Sequence, residues 1–397
     1  MSSSLMQGFP PAPDAQVDLG NWRTPPFNRW AYSHVSEIVP SALIYNRPES
    51  VQSLPEKPVE IQSFAVEDQG KQLSFQEWLA ATYTDGIVVL KNGAVIYEQY
   101  FGELKRETPH ILMSISKSFT ALVAGVLAKQ GILNVDSRID GIIPEIKNSA
   151  YAGATVRNLL DMRVGVDFEE NYLASDGKII EYRKAQNWNP LNPGDSARNL
   201  REFFPILKET DGEHNQRFHY ASPNTDLLGW VLERVSGKRF ADLAGELIWK
   251  PLGAEQLAYI TVDRTGAPRC AGGICTTTRD LARLGRLFAT GGQANGVEVV
   301  PESWLQDILT ADTREAWDTG DFYDFYNQAP MHYRSKWYVE HGEHKMVFGL
   351  GVFGQNVFVE PENDLVIAKF SSQPLPLDQD FNTLTHKGIN RLRELLR

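Results

Sequence analysis

The chain has 397 residues, 42% hydrophobic and 22% charged, with a formal net charge of −11. That length allows a large core and more than one lobe, and no basic patch stands out to neutralise phosphates, which argues against nucleic acid or an anionic membrane as partner. Cys270 and Cys275 cannot build a disulfide framework, and two thiols alone make a poor zinc site, so small buried residues are expected there.

The N-terminal stretch MSSSLMQGFPPAPDAQVDLG has no basic n-region and no apolar h-region, so no signal peptide is visible and a cytoplasmic protein is expected. The longest apolar run, residues 119–128, is too short to span a bilayer. Residues 1–60 are rich in Pro, Ser and Asn. They read as an extended arm packed on a folded body, with Trp22, Phe27, Trp30 and Tyr32 as anchors. DGIVVLKNGAVIYEQYF (85–101) reads as two strands around an Asn92-Gly93 hairpin turn. A helix follows, because Phe119, Leu122, Val123, Val126 and Leu127 recur at helical spacing and Gly131 closes the run.

Residues 132–262 read as a mainly helical lobe. Its clearest helix, 224–237, carries Leu227, Leu228, Val231, Leu232 and Val235 on one face and ends at Gly237. Another helix is expected over 276–292, opened by Thr277 with Asp280. Residues 347–372 return to strands around a turn at 360–364, and RLRELLR (391–397) reads as a closing helix. Strands at both ends with helices between them predict an α+β fold: one antiparallel sheet from 61–131 and 263–397, flanked by helices, with the helical lobe inserted. No 20–50-residue repeat is present.

LMSISKS (112–118) carries the first chemical signal. A serine hydroxyl is a weak nucleophile at neutral pH and needs a base within hydrogen-bond reach. Helical spacing i to i+3 sets Lys117 over Ser114. Lys117 either snorkels to solvent or favours deprotonation of the serine, by its charge or by accepting the proton if burial lowers its pKa. Ser114 also lies at the predicted helix N-terminus, where backbone N–H groups favour developing negative charge. Ser116, the neighbouring candidate, has no lysine three residues on.

FHYASPNTD (218–226) adds a second signal, a tyrosine at a loop-to-helix junction with Ser222 and Asn224 behind it. FGLGVFGQN (348–356) is the third. Gly349, Gly351 and Gly354 would let another backbone approach a strand closely, or would mark a bulge. His341 and His344 in HGEH have a spacing a metal could use, but no third ligand stands near and a solvated surface loop is expected. DFEEN (167–171) reads as a solvated turn.

Taken together, the three signals resemble the serine β-lactamase and penicillin-binding-protein superfamily, in its branch of esterases and class-C-like β-lactamases. The match is closer still to the 6-aminohexanoate-dimer hydrolases, amidases of nylon oligomers. PPFNRWAYSHVSEIVPSA (25–42), ITVDRTG (260–266), TTTRDLARLGR (276–286) and GVFGQN (351–356) carry it beside LMSISKS.

The resemblance implies a serine hydrolase that cleaves a small amide or ester through an acyl-enzyme, with neither metal nor organic cofactor. Ser114 would be acylated, with Tyr220 as base and then acid, its pKa held down by Lys117. The backbone N–H groups of Ser114 and Val352 would form the oxyanion hole, with Gly351-Val352 on the edge strand of the sheet. Tyr172, Arg183, Ser222, Trp337, Tyr338 and Gly351 are the expected substrate contacts, with Tyr172 on a closing loop and Trp337 and Tyr338 walling the cleft. Arg183 falls where the nylon-oligomer enzyme has an acidic residue for the substrate's amine, which disfavours a cationic substrate end here. Leu350 replaces the cation that usually precedes the motif's glycine, and Met162-Arg163-Val164-Gly165 replaces the family's His-Thr-Ser-Gly stretch. Leu350 lowers the standing of a β-lactamase or D,D-peptidase. Acyl transfer and a non-catalytic, ligand-binding member are the remaining alternatives. A small-molecule substrate is the expected partner, with a homodimer left open.

Overall fold

A computed structural model describes residues 5–195 and 198–397. The strands used below are β1 (Ser41–Ile44), β2 (Thr84–Lys91), β3 (Ala94–Tyr100), β4 (His110–Ile111), β5 (Ala258–Thr261) and β6 (Ile274–Thr276). They continue with β7 (Met331–Arg334), β8 (Trp337–Glu340), β9 (Met346–Gly351), β10 (Gln355–Glu360) and β11 (Leu365–Ser371). The main helices are α1 (Ile115–Lys129), α2 (Lys178–Ala185), α3 (Pro223–Ser236), α4 (Thr278–Arg286) and α5 (Gln379–Leu396).

Seven strands form the main sheet in the order β7-β8-β9-β10-β11-β2-β3, antiparallel at every pairing. The β2–β3 hairpin turns at Asn92 and Gly93, both at positive φ, as a primed two-residue turn requires. Side chains alternate across the pleat. Val366 and Ala368 therefore join Val88, Leu90, Val357 and Val359 in the core under α1 and α4. Leu365 and Ile367 join Ile87, Val89 and Phe358 on the opposite face, under α5. Glycines let both helices seat closely: a Cβ on Gly285 of α4 would stand 2.9 Å from Val357, and one on Gly388 of α5 would stand 2.1 Å from the Trp78 ring.

Two helix boundaries differ from the sequence reading. α5 begins at Gln379, capped by Asp378, because Leu384, Ile389 and Leu392 are all buried against the sheet. α4 stops at Arg286, and Gly291 and Gly292, both at positive φ, turn the chain away before residue 293.

The N-terminal segment is more than an extended arm. It contains a short helix, Asn28–Ala31, and β1, which pairs antiparallel with β5 in a second sheet of order β1-β5-β6-β4. Trp22 and Tyr32 are fully buried in a cluster with Trp188, Met113 and Phe353, so the arm packs beside the serine motif. No helix among the described residues is long and apolar enough to cross a membrane.

Candidate active site

The backbone ahead of α1 is pinned on both sides. The N–H of Ile111 bonds Tyr32 O at 2.9 Å, and that of Leu112 bonds Ile274 O at 2.8 Å. Met113 then adopts φ 46°, a left-handed conformation that a non-glycine residue rarely holds and that concentrates at functional sites. Ser114 follows at the N-cap position, where its side chain caps nothing. Its Oγ instead accepts a hydrogen bond from Lys117 Nζ at 2.7 Å.

Lys117 is 1% exposed, so it does not snorkel. Besides Ser114, it bonds Ala271 O at 2.8 Å. Burial holds its pKa down at about 7, with the nearby Glu170 charge acting in the opposite sense. Ala271 is itself held: its N–H donates to Asp226 Oδ1 at 2.8 Å, and Asp226 on α3 is paired with Arg269 and receives the Tyr182 hydroxyl. Through these bonds α3 and the 269–271 segment position the lysine.

Tyr220 stands near enough to the same serine for the two side chains to act on one another. Lys117 is not among the leading influences on the tyrosine's pKa, which lies above the ordinary phenol value. Burial and then the Glu170 charge push the phenol well up, against weaker opposing effects of Ser114 and Arg269. Lys117 Nζ lies over the tyrosine ring, 5.0 Å from its centroid.

The glycines of β9 bring the third motif into place. A Cβ on Gly351 would stand 2.5 Å from Leu112 O and 3.0 Å from Met113 Cβ, and one on Gly349 would stand 3.1 Å from Ser118 Oγ. The strand therefore lies against the start of α1, and Val352 reaches the cavity that Ser114 lines. β9 is not an edge strand, since β8 pairs with it over 346–348. Only its last residues, 349–351, run beyond that ladder.

Ser114 opens into a cavity of about 220 Å³ whose lining includes Tyr172, Arg183, Ser222 and Val352. Arg183 on α2 donates to Tyr172 O at 2.9 Å. Trp337 and Tyr338 are elsewhere, which corrects their expected place in the cleft wall. Trp337 is fully buried, edge-on to Phe288, and Tyr338 stacks on Phe348 in the core under α5. They lie on β8, which the β8–β9 pairing turns into sheet interior.

Other cavity residues escaped the sequence reading. Glu170, expected in a solvated turn, lines the cavity and accepts the Ser222 N–H. Arg23 from the arm, Arg269 and Trp188 line it as well. Their local sequence carries no signal for this, although a tryptophan in a polar stretch marks a burial site still to be placed. His341 pairs with His332 at 2.8 Å and His344 with Glu362 at 2.9 Å, so the two act separately.

The family model for Beta-lactamase matches residues 79–387. The chain belongs to that family. It is 32% identical over 368 residues to the 6-aminohexanoate-dimer hydrolase of Paenarthrobacter ureafaciens, covering 93% of this chain and 91% of the relative. A solved structure from Bacillus anthracis, provisionally described as a 6-aminohexanoate-dimer hydrolase, superposes with a TM-score of 0.85 at 26% identity. That alignment covers 96% of this chain and 97% of the other. The octameric penicillin-binding protein homologue of Pyrococcus abyssi shares the fold, with a TM-score of 0.60 at 19% identity over 81% of this chain and 75% of that one. The family member described here is a serine hydrolase that works on an amide or ester through an acyl-enzyme.

Proposed function

We propose that Ser114 is the acylated nucleophile, Lys117 the base that activates it, and Tyr220 the acid that protonates the leaving group. The observation that carries this is the 2.7 Å contact between Lys117 Nζ and Ser114 Oγ, made by a buried lysine whose pKa lies near 7. A base poised at the working pH is the efficient one. Tyr220, with its pKa pushed up, holds its proton at neutral pH and has one to give. This reverses the order of duties that the family resemblance suggested for the tyrosine.

Protons balance over the cycle. Lys117 takes the Ser114 proton as Oγ attacks the carbonyl. The N–H groups of Ser114 and Val352 stabilise the oxyanion, a contribution of about 3–4 kcal/mol per donor in comparable sites. Tyr220 gives its proton to the departing amine or alkoxide. Water then attacks the acyl-enzyme and returns a proton to the Tyr220 phenolate, and the Lys117 ammonium reprotonates Ser114 as the acid product leaves.

The substrate is a small amide or ester, in keeping with the relative's name, which specifies an amide of an ω-amino acid. The catalytic residues all come from one chain, so the proposal stands for a monomer and for a homodimer alike. The test is intact-protein mass spectrometry after brief exposure to a 4-nitrophenyl ester, with nitrophenolate followed in parallel. Wild type acquires an acyl mass and Ser114→Ala does not. Equal nitrophenolate release by both proteins would overturn the assignment.

A further inference from the structure

The cavity beside Ser114 is cationic in a protein whose formal net charge is −11. Three arginines line it, Arg23, Arg183 and Arg269, against one acidic residue, Glu170. Arg269 is neutralised by Asp226. Neither Arg23 nor Arg183 has a carboxylate within 4.0 Å among the described residues. Arg183 donates to the Tyr172 carbonyl and Arg23 to the carbonyl of Trp188 and the side chain of Asn189. The Arg23 Nε is buried with no partner. Neutral acceptors therefore orient both guanidiniums; the Glu170 charge supports that of Arg183, whereas burial and then the Arg183 charge disfavour that of Arg23. With Lys117 neutral, the site keeps one positive charge in excess.

We propose that the acyl part of the substrate ends in a carboxylate, held between Arg183 and Arg23. Guanidinium forks match a carboxylate in geometry as well as charge, and a bound anion would offset the repulsion that Arg183 exerts on Arg23. This rests on the acyl-enzyme reading above. The assignment to the acyl side follows from the placement of Tyr220. Ser114 and Val352 line the arginine cavity, whereas Tyr220 lines a separate one with Glu170, Asp211 and Asp321. The leaving group, which takes its proton from Tyr220, departs toward that acidic side, so the acyl chain lies along the arginines. The arm thereby supplies a specificity residue, Arg23, fixed by the burial of its neighbour Trp22.

The test compares kcat/KM for the mono-4-nitrophenyl esters of glutaric and adipic acid with the 4-nitrophenyl esters of pentanoic, hexanoic and 6-aminohexanoic acid. Ser114→Ala serves as the baseline for spontaneous hydrolysis. Wild type should favour the anionic acyl chains over the neutral ones at least tenfold, with the cationic chain slowest. That ratio should fall at least tenfold in Arg183→Met and in Arg23→Met, and Arg183→Asp should move the preference toward the 6-aminohexanoyl ester. Competitive inhibition by glutarate or adipate, weakened in the same variants, is the second readout and needs no turnover of an ester. Acylation of Ser114 with no preference among the chains, or a preference that neither arginine changes, would overturn the carboxylate assignment alone. Absence of any Ser114 adduct would instead overturn the acyl-enzyme reading beneath it.

Discussion

Lys117 ties catalysis to stability, and Lys117→Met separates the two. In the unfolded chain this lysine keeps its proton up to about pH 10.5, whereas burial in the fold releases it above about 7. The folded state therefore carries a penalty that is fully present below pH 7, shrinks as pH rises and is gone above 10.5. At about 1.4 kcal/mol per pH unit, the penalty is about 4 kcal/mol at pH 7 and about 2 kcal/mol at pH 9. Methionine has no such term. The substitution also removes the donors to Ser114 Oγ and Ala271 O, a loss of about 1–3 kcal/mol for each buried acceptor left unpaired, but that loss does not vary with pH. Urea unfolding of both proteins at pH 7 and pH 9 should show wild type gaining about 2 kcal/mol on the variant between those values. The same titration governs rate. Wild-type kcat/KM should rise about tenfold per pH unit below 7 and level off above it, while the variant loses both the rise and most of the activity. Parallel stability curves for the two proteins would mean that Lys117 stays protonated in the fold, and its assignment as base would fail.

The remaining expectations address the acid, the strand contact and the arm. Tyr220→Phe should lower kcat by about 10²–10⁴ on an amide and much less on a 4-nitrophenyl ester, whose leaving group needs no proton; equal losses on both would remove the tyrosine from the acid step. Gly351→Val should destabilise the protein by about 1–3 kcal/mol and cut Ser114 acylation, because the new Cβ meets Leu112 O; unchanged melting and acylation would mean that β9 does not press on the serine loop. Trp22→Ala should cost about 3–5 kcal/mol of stability, and limited proteolysis should then cut first within the released arm; a protein as protease-resistant as wild type would contradict that arm packing.

Legibility followed distance along the chain. The Ser114–Lys117 pair is a property of one helical turn, and one turn brings positions i and i+3 together wherever the helix lies. The Asn92-Gly93 hairpin is equally local, since its turn needs two residues that tolerate positive φ. The glycines of β9 left a close approach and a bulge both open, and the structure decides for the approach, by placing Gly351 against the carbonyl of Leu112.

Tertiary structure decided which side chains share the cavity. Trp337 and Tyr338 are aromatic residues near the third motif in sequence, but the β8–β9 pairing turns both into the core. Glu170 lies in an acidic stretch that reads as solvated, and only its bond to the Ser222 N–H reveals its place. Arg23 and Arg269 are more than 240 residues apart in the chain, yet they line one cavity. Residue type and short-range spacing determine the reactive pair, because helix geometry is the same in every fold. The charge of a pocket is a sum over distant residues, and only the packing of the arm and helices around Ser114 determines which residues enter it.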